Sequence, residues 1–391
     1  MGQNGRMRRG ALLIAISSNH SGITLSHSRS RMSVLLAGAL LVVAGCGSTH
    51  VRTSATPSAT VTTPTPFVPT PTPSPPPLSQ PLLVQVENLY EARPQSGLSE
   101  AQLLYEYQTE GGISRFTAIF FGTPPGPDLV GPVRSARLVD LRLLQIYGGA
   151  LLYSGASNYT LAELRSSGLK QYSPDDTVVG DTVLYRTSAA PPAARYGSPH
   201  NLYTNGSELA SLSQKIGLST VGYQLWPRTP VTDLPDGGTP VSSFEVPLSP
   251  EETPLFTYQP TDGSYERSEP ATPLYPATGV LDDANTDQPW ETPTIVVLQV
   301  PVIPVPADNE NPSGGYTEGL DFGIGPNSGG NGQVAVGGLL YSIIWNQGAT
   351  GPPELTLTDG APAPIAPGQV LIELVPQGRT VTTVTPVGPA T

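Results

Sequence analysis

The densest run of residues able to do chemistry lies between Glu106 and Arg137. The stretch LLYEYQTE-GG-ISRFTAIFF sets two β-rich runs around Gly111-Gly112, the pattern of a β-hairpin. With the glycines as a two-residue turn, Glu110 faces Ile113 and Gln108 faces Arg115. Period-two alternation then puts Glu106, Gln108 and Glu110 on one strand face, with Arg115 diagonal to both glutamates on that face. Two carboxylates beside one guanidinium can hold a polar ligand. They can also supply an acid and a base, because like charges held close raise a carboxyl pKa. Charge pairing on an outer sheet face is the plain structural alternative.

Downstream, Gly131-Pro-Val-Arg134-Ser135-Ala-Arg137 leads into LVDLRLLQIYGG. Ser135 is the expected N-cap of a helix that stops at Gly148-Gly149. Arg134 and Arg137 then stand at the positive end of a helix, where free backbone N–H groups also favour an anion. Their competing use is to neutralise the nearby glutamates. Thr160 and Glu163 match a capping box for a second helix, and Asn205 with Glu208 for a third that stops near Gly217. His200 is the candidate general base, paired with Glu106 or Glu110. Arg186 and Asn201 complete the candidate ligand set. A lone histidine beside Pro199 and Asn201 more often orders a loop through hydrogen bonds.

Other motifs fall short. Ser157 lies in Gly155-Ala-Ser-Asn-Tyr159, which lacks the second glycine of a nucleophile elbow. Asp283, Asn285 and Asp287 begin like a calcium loop, but Gln288 replaces the turn glycine and Thr294 stands at the bidentate glutamate position. They remain a weak calcium candidate. Gly323-Ile-Gly325 has no helix after it and does not make a dinucleotide fingerprint. Cys46 is the only cysteine, and His20, His27 and His50 precede the folded body, so thiolate clusters and multi-histidine zinc sites are excluded. No cofactor is expected.

The elements that carry these residues follow an export signal. Residues 33–45, SVLLAGALLVVAG, form an apolar run behind Arg29 and Arg31, too short to span a bilayer as a mature helix. It ends in Val43-Ala-Gly-Cys46, the pattern of a bacterial lipobox, which makes 1–45 a signal peptide and Cys46 the lipidated residue. The rest of 46–80 is a stalk rich in Pro, Thr and Ser that cannot bury a core and favours extended polyproline II. Five of the 19 basic residues precede Cys46, so the processed chain carries 14 against 31 acidic, a net charge of −17. Such a body is repelled by phosphate backbones, which argues against nucleic-acid partners.

With 45 Pro and 42 Gly the chain has many turns and few long helices. The expected class is α+β: a mixed α/β N-terminal domain over 81–222 with the hairpin at its centre, a linker over 223–240, a mostly β domain over 241–380, and a disordered tail over 381–391. The β-rich runs LFTYQ, PTIVVLQV, QVAVGGLLYSIIW, PELTLTD and QVLIELV mark the second domain.

Several phrases together resemble the YerB-like bacterial lipoproteins. They are Arg93-Pro-Gln-Ser-Gly-Leu-Ser-Glu100, Tyr105-Glu106, Glu110-Gly-Gly-Ile-Ser-Arg-Phe116, Gly131-Pro-Val-Arg-Ser-Ala-Arg137, Tyr185-Arg186 and Pro199-His-Asn201. Ile344-Trp345 and Ala366-Pro-Gly-Gln-Val-Leu-Ile-Glu-Leu-Val-Pro376 are similar to the family's second domain. The resemblance implies a lipoprotein with two domains and brings no catalytic residue. The expected function is that of a lipid-anchored, extracytoplasmic envelope protein that binds a ligand or partner without catalysis. Its partners would be the membrane, through the anchor, and a cell-wall or envelope component. The alternative is an envelope hydrolase with a Glu/His acid–base pair.

Overall fold

The computed structural model of the protein describes residues 78–384 apart from 123–125, 127, 175–182, 274 and 310–318. The expected signal peptide, Cys46, the stalk up to residue 77 and the tail beyond 384 lie outside the described residues. The start of the expected disordered tail is ordered, Thr382–Thr383 pairing with Phe244 and Glu245.

Four of the six residues of LLVQVE are apolar and all six are buried, as in a strand covered on both faces. It forms the strand Leu82–Glu87, antiparallel to Ser114–Phe120 on one side and parallel to Ala150–Leu152 on the other. A parallel neighbour requires a crossover, and the helix Leu138–Tyr147 supplies it. A second crossover through the helix Asn158–Ser166 adds Lys170–Tyr172. On the other side, the hairpin strand Leu103–Gln108 pairs in parallel with Val370–Pro376, from Leu103↔Val370 to Tyr107↔Leu374. The sheet continues through Thr294–Val300, Gly329–Val336, Leu339–Asn346 and Glu354–Leu357. One eleven-stranded sheet therefore runs through both halves of the chain, with the charged hairpin near its middle.

The two faces of this sheet are covered differently. One face packs the Leu138–Tyr147 helix through Val139, Leu143 and Leu144 against Leu83, Tyr105, Ile119 and Leu151. The other is covered by a six-stranded sheet built around Ser243–Glu245, Leu255–Gln259 and Ser264–Glu269. Phe244, Phe256 and Tyr265 of that sheet join Leu104 and Phe116 in one core. Among the described residues after Ile216 there is no α-helix. The fold is α+β, mixed in its first half and mostly β in its second.

Four local expectations change. The hairpin connection is longer than two residues: Gln108 pairs with Ser114, Tyr107 with Arg115, and Thr109 N donates to Ile113 O at 2.7 Å. Gly111 and Gly112 both take φ near +78°, but within a 3-10 turn that begins at Glu110. A one-residue change of register flips every side chain, so Arg115 leaves the face of Glu106 and joins that of Tyr107. Ser135 does not cap its helix. Arg137 is the N-cap residue, and its backbone N–H donates to Asp140 Oδ2 at 2.7 Å. The second helix begins earlier than Thr160, because Ser157 Oγ accepts from Thr160 N. The 223–240 segment is packed: Tyr223 Oη donates to Tyr147 O, Trp226 Nε1 donates to Pro353 O, and Thr239-Pro240 pairs with Leu339-Leu340. The cap at Asn205 and the stops at Gly148 and Gly217 form as the sequence predicts.

Candidate functional site

The register of the hairpin decides which polar residues meet. On the helix-covered face, Tyr107 Oη and Thr117 Oγ1 donate to Asp140 Oδ1 at 2.9 and 2.7 Å, all three side chains being buried. The Gln85 amide completes the network with its nitrogen turned to Asp140 Oδ1 at 2.6 Å. Burial raises the Asp140 pKa against the pull of Thr117 and Arg137. Because Asp140 also holds Arg137 N, this network fixes the helix start against the hairpin.

Three arginines gather at that helix start. Arg115 Nη1 donates to Ser135 O at 2.7 Å, and Arg137 Nη1 reaches the same carbonyl at 3.2 Å. Two guanidinium groups thus share one acceptor. Arg137 Nε and Nη2 donate to Glu110 Oε2 at 2.8 and 2.6 Å. Burial would raise the Glu110 carboxyl, but Arg137, helped by Arg115, holds it below its ordinary pKa. Arg115 is 6% exposed, and its buried Nε has no hydrogen-bond partner. Burial first and the charge of Arg137 next push the Arg115 pKa down to about 9, against Glu110 and Glu87. Arg134 keeps 25% of its side chain exposed. Its Nε lies 3.1 Å from Glu87 Oε1, near enough for an ion pair though not aligned for a hydrogen bond.

Glu87 is the residue that sequence reasoning missed here. It ends the first strand directly opposite Arg115, and its Oε2 lies 2.9 Å from His200 Nδ1. His200 therefore pairs with Glu87 and not with Glu106 or Glu110. Tyr203, fully buried, has an unpartnered hydroxyl whose pKa is raised by burial and then by the charge of Glu87. Arg186 stands apart, donating to Asn201 Oδ1 at 2.6 Å in an exposed loop contact. A glutamate ending a mostly apolar strand (LLVQVE) was the available signal for Glu87.

Glu106 has a different fate. It is sealed under the six-stranded sheet, paired with the fully buried Arg267. Arg267 Nη2 also lies 2.6 Å from Glu269 Oε1 and 3.4 Å from Glu252 Oε1, and Arg267 Nη1 lies 3.5 Å from Glu373. Its guanidinium carbon sits 5.1 Å from the Phe116 ring centroid and 5.6 Å from that of Phe256, within cation–π range. Arg93 Nη2 adds a second cation, 3.0 Å from Glu252 Oε1. Glu106 and Glu373 are register partners on adjacent parallel strands. Two cations thus meet four carboxylates, and charge balance in a buried site requires two of the acids to hold protons. Burial, then neighbouring carboxylate charge, raises the pKa of Glu252 and Glu373 well above the ordinary value. Arg93 offsets part of that rise for Glu252, and Arg267 for Glu373. Both shifts favour the protonated form at these two acids. A lone charge inside the apolar run of QVLIELV signals such a buried partner, but not which one.

The calcium-like residues serve the fold. Asp283 Oδ1 accepts from Gly97 N and Asn285 N at 3.0 Å each, and Oδ2 accepts from Ser99 N and Ser99 Oγ. Asn285 Nδ2 donates to Leu129 O. Both carboxylate oxygens of Asp283 are thus occupied by internal donors. Among the described residues no group of three or more His, Cys, Asp or Glu is arranged to hold a metal ion.

Comparison with known proteins agrees with this layout. Residues 70–219 match the family described as "Protein of unknown function (DUF3048) N-terminal domain", and 244–372 match its C-terminal domain. The chain is 33% identical over 138 residues to "Putative lipoprotein YerB" of Bacillus subtilis (strain 168), a match covering 35% of this chain and 39% of that relative's length. The crystal structure of YerB from Bacillus subtilis superposes with a TM-score of 0.59 at 22% identity, over 79% of this chain and 94% of that one. The fold is that of the solved protein, and both halves of one family are matched in order. The chain belongs to the YerB-like family.

Proposed function

We propose that the protein is a lipid-anchored, extracytoplasmic envelope protein that binds an anionic ligand or partner without catalysis, using Arg115, Arg134 and Arg137. One observation carries the proposal. Two guanidinium groups converge on Ser135 O while the buried Nε of Arg115 is left without a partner. A buried cation with an unused donor beside a like charge is costly, and an anion beside it would lower that cost. The helix start behind the arginines favours the same charge. The anchor at Cys46 follows from the lipobox-like Val43-Ala-Gly-Cys46, and the name of the similar Bacillus subtilis protein supports it.

Thermal unfolding with phosphate, citrate and anionic wall glycopolymers tests the site. A ligand at 100 times its dissociation constant adds about 2.7 kcal/mol. That shift should appear in wild type and vanish in a still-folded Arg134→Ala. Equal shifts in wild type and Arg134→Ala, or none with any anion, would remove the arginines from the proposal. The hydrolase alternative draws its support from the Glu87–His200 contact, since a carboxylate on Nδ1 orients an imidazole as a base. It requires an activity that His200→Ala abolishes while binding of the same compound persists.

A further inference from the structure

A second polar feature lies across the hairpin tip from the arginines. A partly open pocket of about 100 Å³ lies over the ionic cluster, with Glu252, Glu269 and Arg93 in its lining. Glu251 stands beside them, and its Oε2 is buried without a hydrogen-bond partner. One wall is formed by Tyr90 and Tyr275, whose rings stack at 6.1 Å with an interplanar angle of 12°. Prolines of the 270–276 segment and Pro250 supply much of the remaining lining.

The charges of this lining do not balance. Three carboxylates face one guanidinium, and the cluster beneath adds Glu106 and Glu373 against Arg267 alone. Protons on Glu252 and Glu373 make up part of the deficit, which leaves Glu251 with no cation of its own. The volume is too small for a whole drug-sized ligand but fits a charged head on a slender aliphatic stem. Tyrosine faces and proline rings suit the methylene stem, and aromatic faces attract a cation.

We infer that this pocket is a binding site for the ammonium head of an aliphatic amine, held by Glu251 with its stem along Tyr90 and Tyr275. The amine has two sources, a small free molecule or a lysyl side chain presented by another protein, and their shared chemistry is a primary ammonium on an alkyl stem. The site is separate from the arginine group, so either can fail without the other.

Calorimetric titration of the intact chain with n-butylamine, with the neutral n-butanol and with a lysine-containing tripeptide tests it. The cationic probes should bind and n-butanol should not. Glu251→Gln, at a partly exposed position, should weaken the amine about tenfold, the value of one charge-assisted contact. Tyr275→Ala, the independent variant for the stem wall, should also weaken the amine. Stronger binding of the tripeptide assigns the site to a protein-borne amine, and stronger binding of butylamine assigns it to a free one. Equal binding of n-butanol and n-butylamine, no binding of either cation at millimolar concentration, or unchanged affinity in Glu251→Gln would each overturn the inference.

Discussion

Two arginine–glutamate groups flank the same hairpin, and they differ in what surrounds them. Around Arg267 the four glutamates are buried, the raised pKa values of Glu252 and Glu373 favour their protonated forms, and aromatic rings flank the guanidinium. Around Arg115 the members sit at a helix start with Arg134 partly exposed and the Nε atoms of Arg115 and Arg134 without hydrogen-bond partners. The first group carries surplus carboxyl groups around Arg267 and Arg93, whereas the second carries surplus guanidinium donors at a partly exposed rim. Residue type alone does not separate them, because both use Arg and Glu. Burial does.

The largest effect is expected at Arg267. Arg267→Met leaves its carboxylates without their central cation, and breaking a buried ion pair costs about 3–5 kcal/mol. Urea unfolding should show that loss or a failure to fold. A loss below about 1 kcal/mol, the range of exposed pairs, would place Arg267 with the open group and break the contrast.

Next come the register partners Glu106 and Glu373. Glu106→Gln removes a charge paired with Arg267 and should cost about 3 kcal/mol. Glu373→Gln replaces an acid that already holds its proton and should cost less than about 1 kcal/mol. Comparable losses at the two positions in urea titration would refute the assignment of the proton to Glu373.

The pH dependence should have opposite signs for the raised acids beside Arg267 and for Glu110 of the second group. Glu269, which burial would raise but Arg267 and Arg93 hold low, sides with Glu110. Glu252 and Glu373 have folded pKa values above their ordinary ones. The folded state therefore binds protons that the unfolded chain has released, and stability falls as pH rises above the ordinary carboxylate range. Glu100, pushed from 4.5 up to about 7 by burial and then by Asp128 and Asp283, adds to that loss between those two values. Glu110 is held below its ordinary value, so its contribution is lost as pH falls through its folded pKa. Melting curves from pH 3 to 9 should show Glu373→Gln flattening the alkaline side and Glu110→Gln the acid side.

The smallest stability effect belongs to Arg134. Its partial exposure limits the cost of Arg134→Ala to about 1 kcal/mol in the absence of ligand. A melting temperature close to wild type, with loss of the anion-induced shift, would sharpen the contrast between a structural and a binding group.

Much of the fold was legible locally. Alternating or continuous apolar runs located the strands, and turn glycines ended helices at Gly148 and Gly217. The strands of the second half appear where their β-rich runs lie, with Gly337-Gly338 turning one run into two strands. The hairpin register was not legible, because a Gly-Gly pair serves a two-residue turn and a longer connection equally well. That single residue moved Arg115 to the other face and separated it from Glu106.

The sequence by itself determined the α+β class, the position of the hairpin, the gathering of Arg134 and Arg137 at a helix start, and the lipobox-like pattern at Cys46. These depend on contacts between near neighbours, or on composition, which a linear chain displays. Only the tertiary structure decided that Glu106 belongs to Arg267, that His200 belongs to Glu87, and that Val370–Pro376 joins the hairpin strand to the second half of the sheet. Those pairings join residues more than a hundred positions apart. Charges and β-propensity mark a residue as needing a partner, but three-dimensional packing selects which partner arrives.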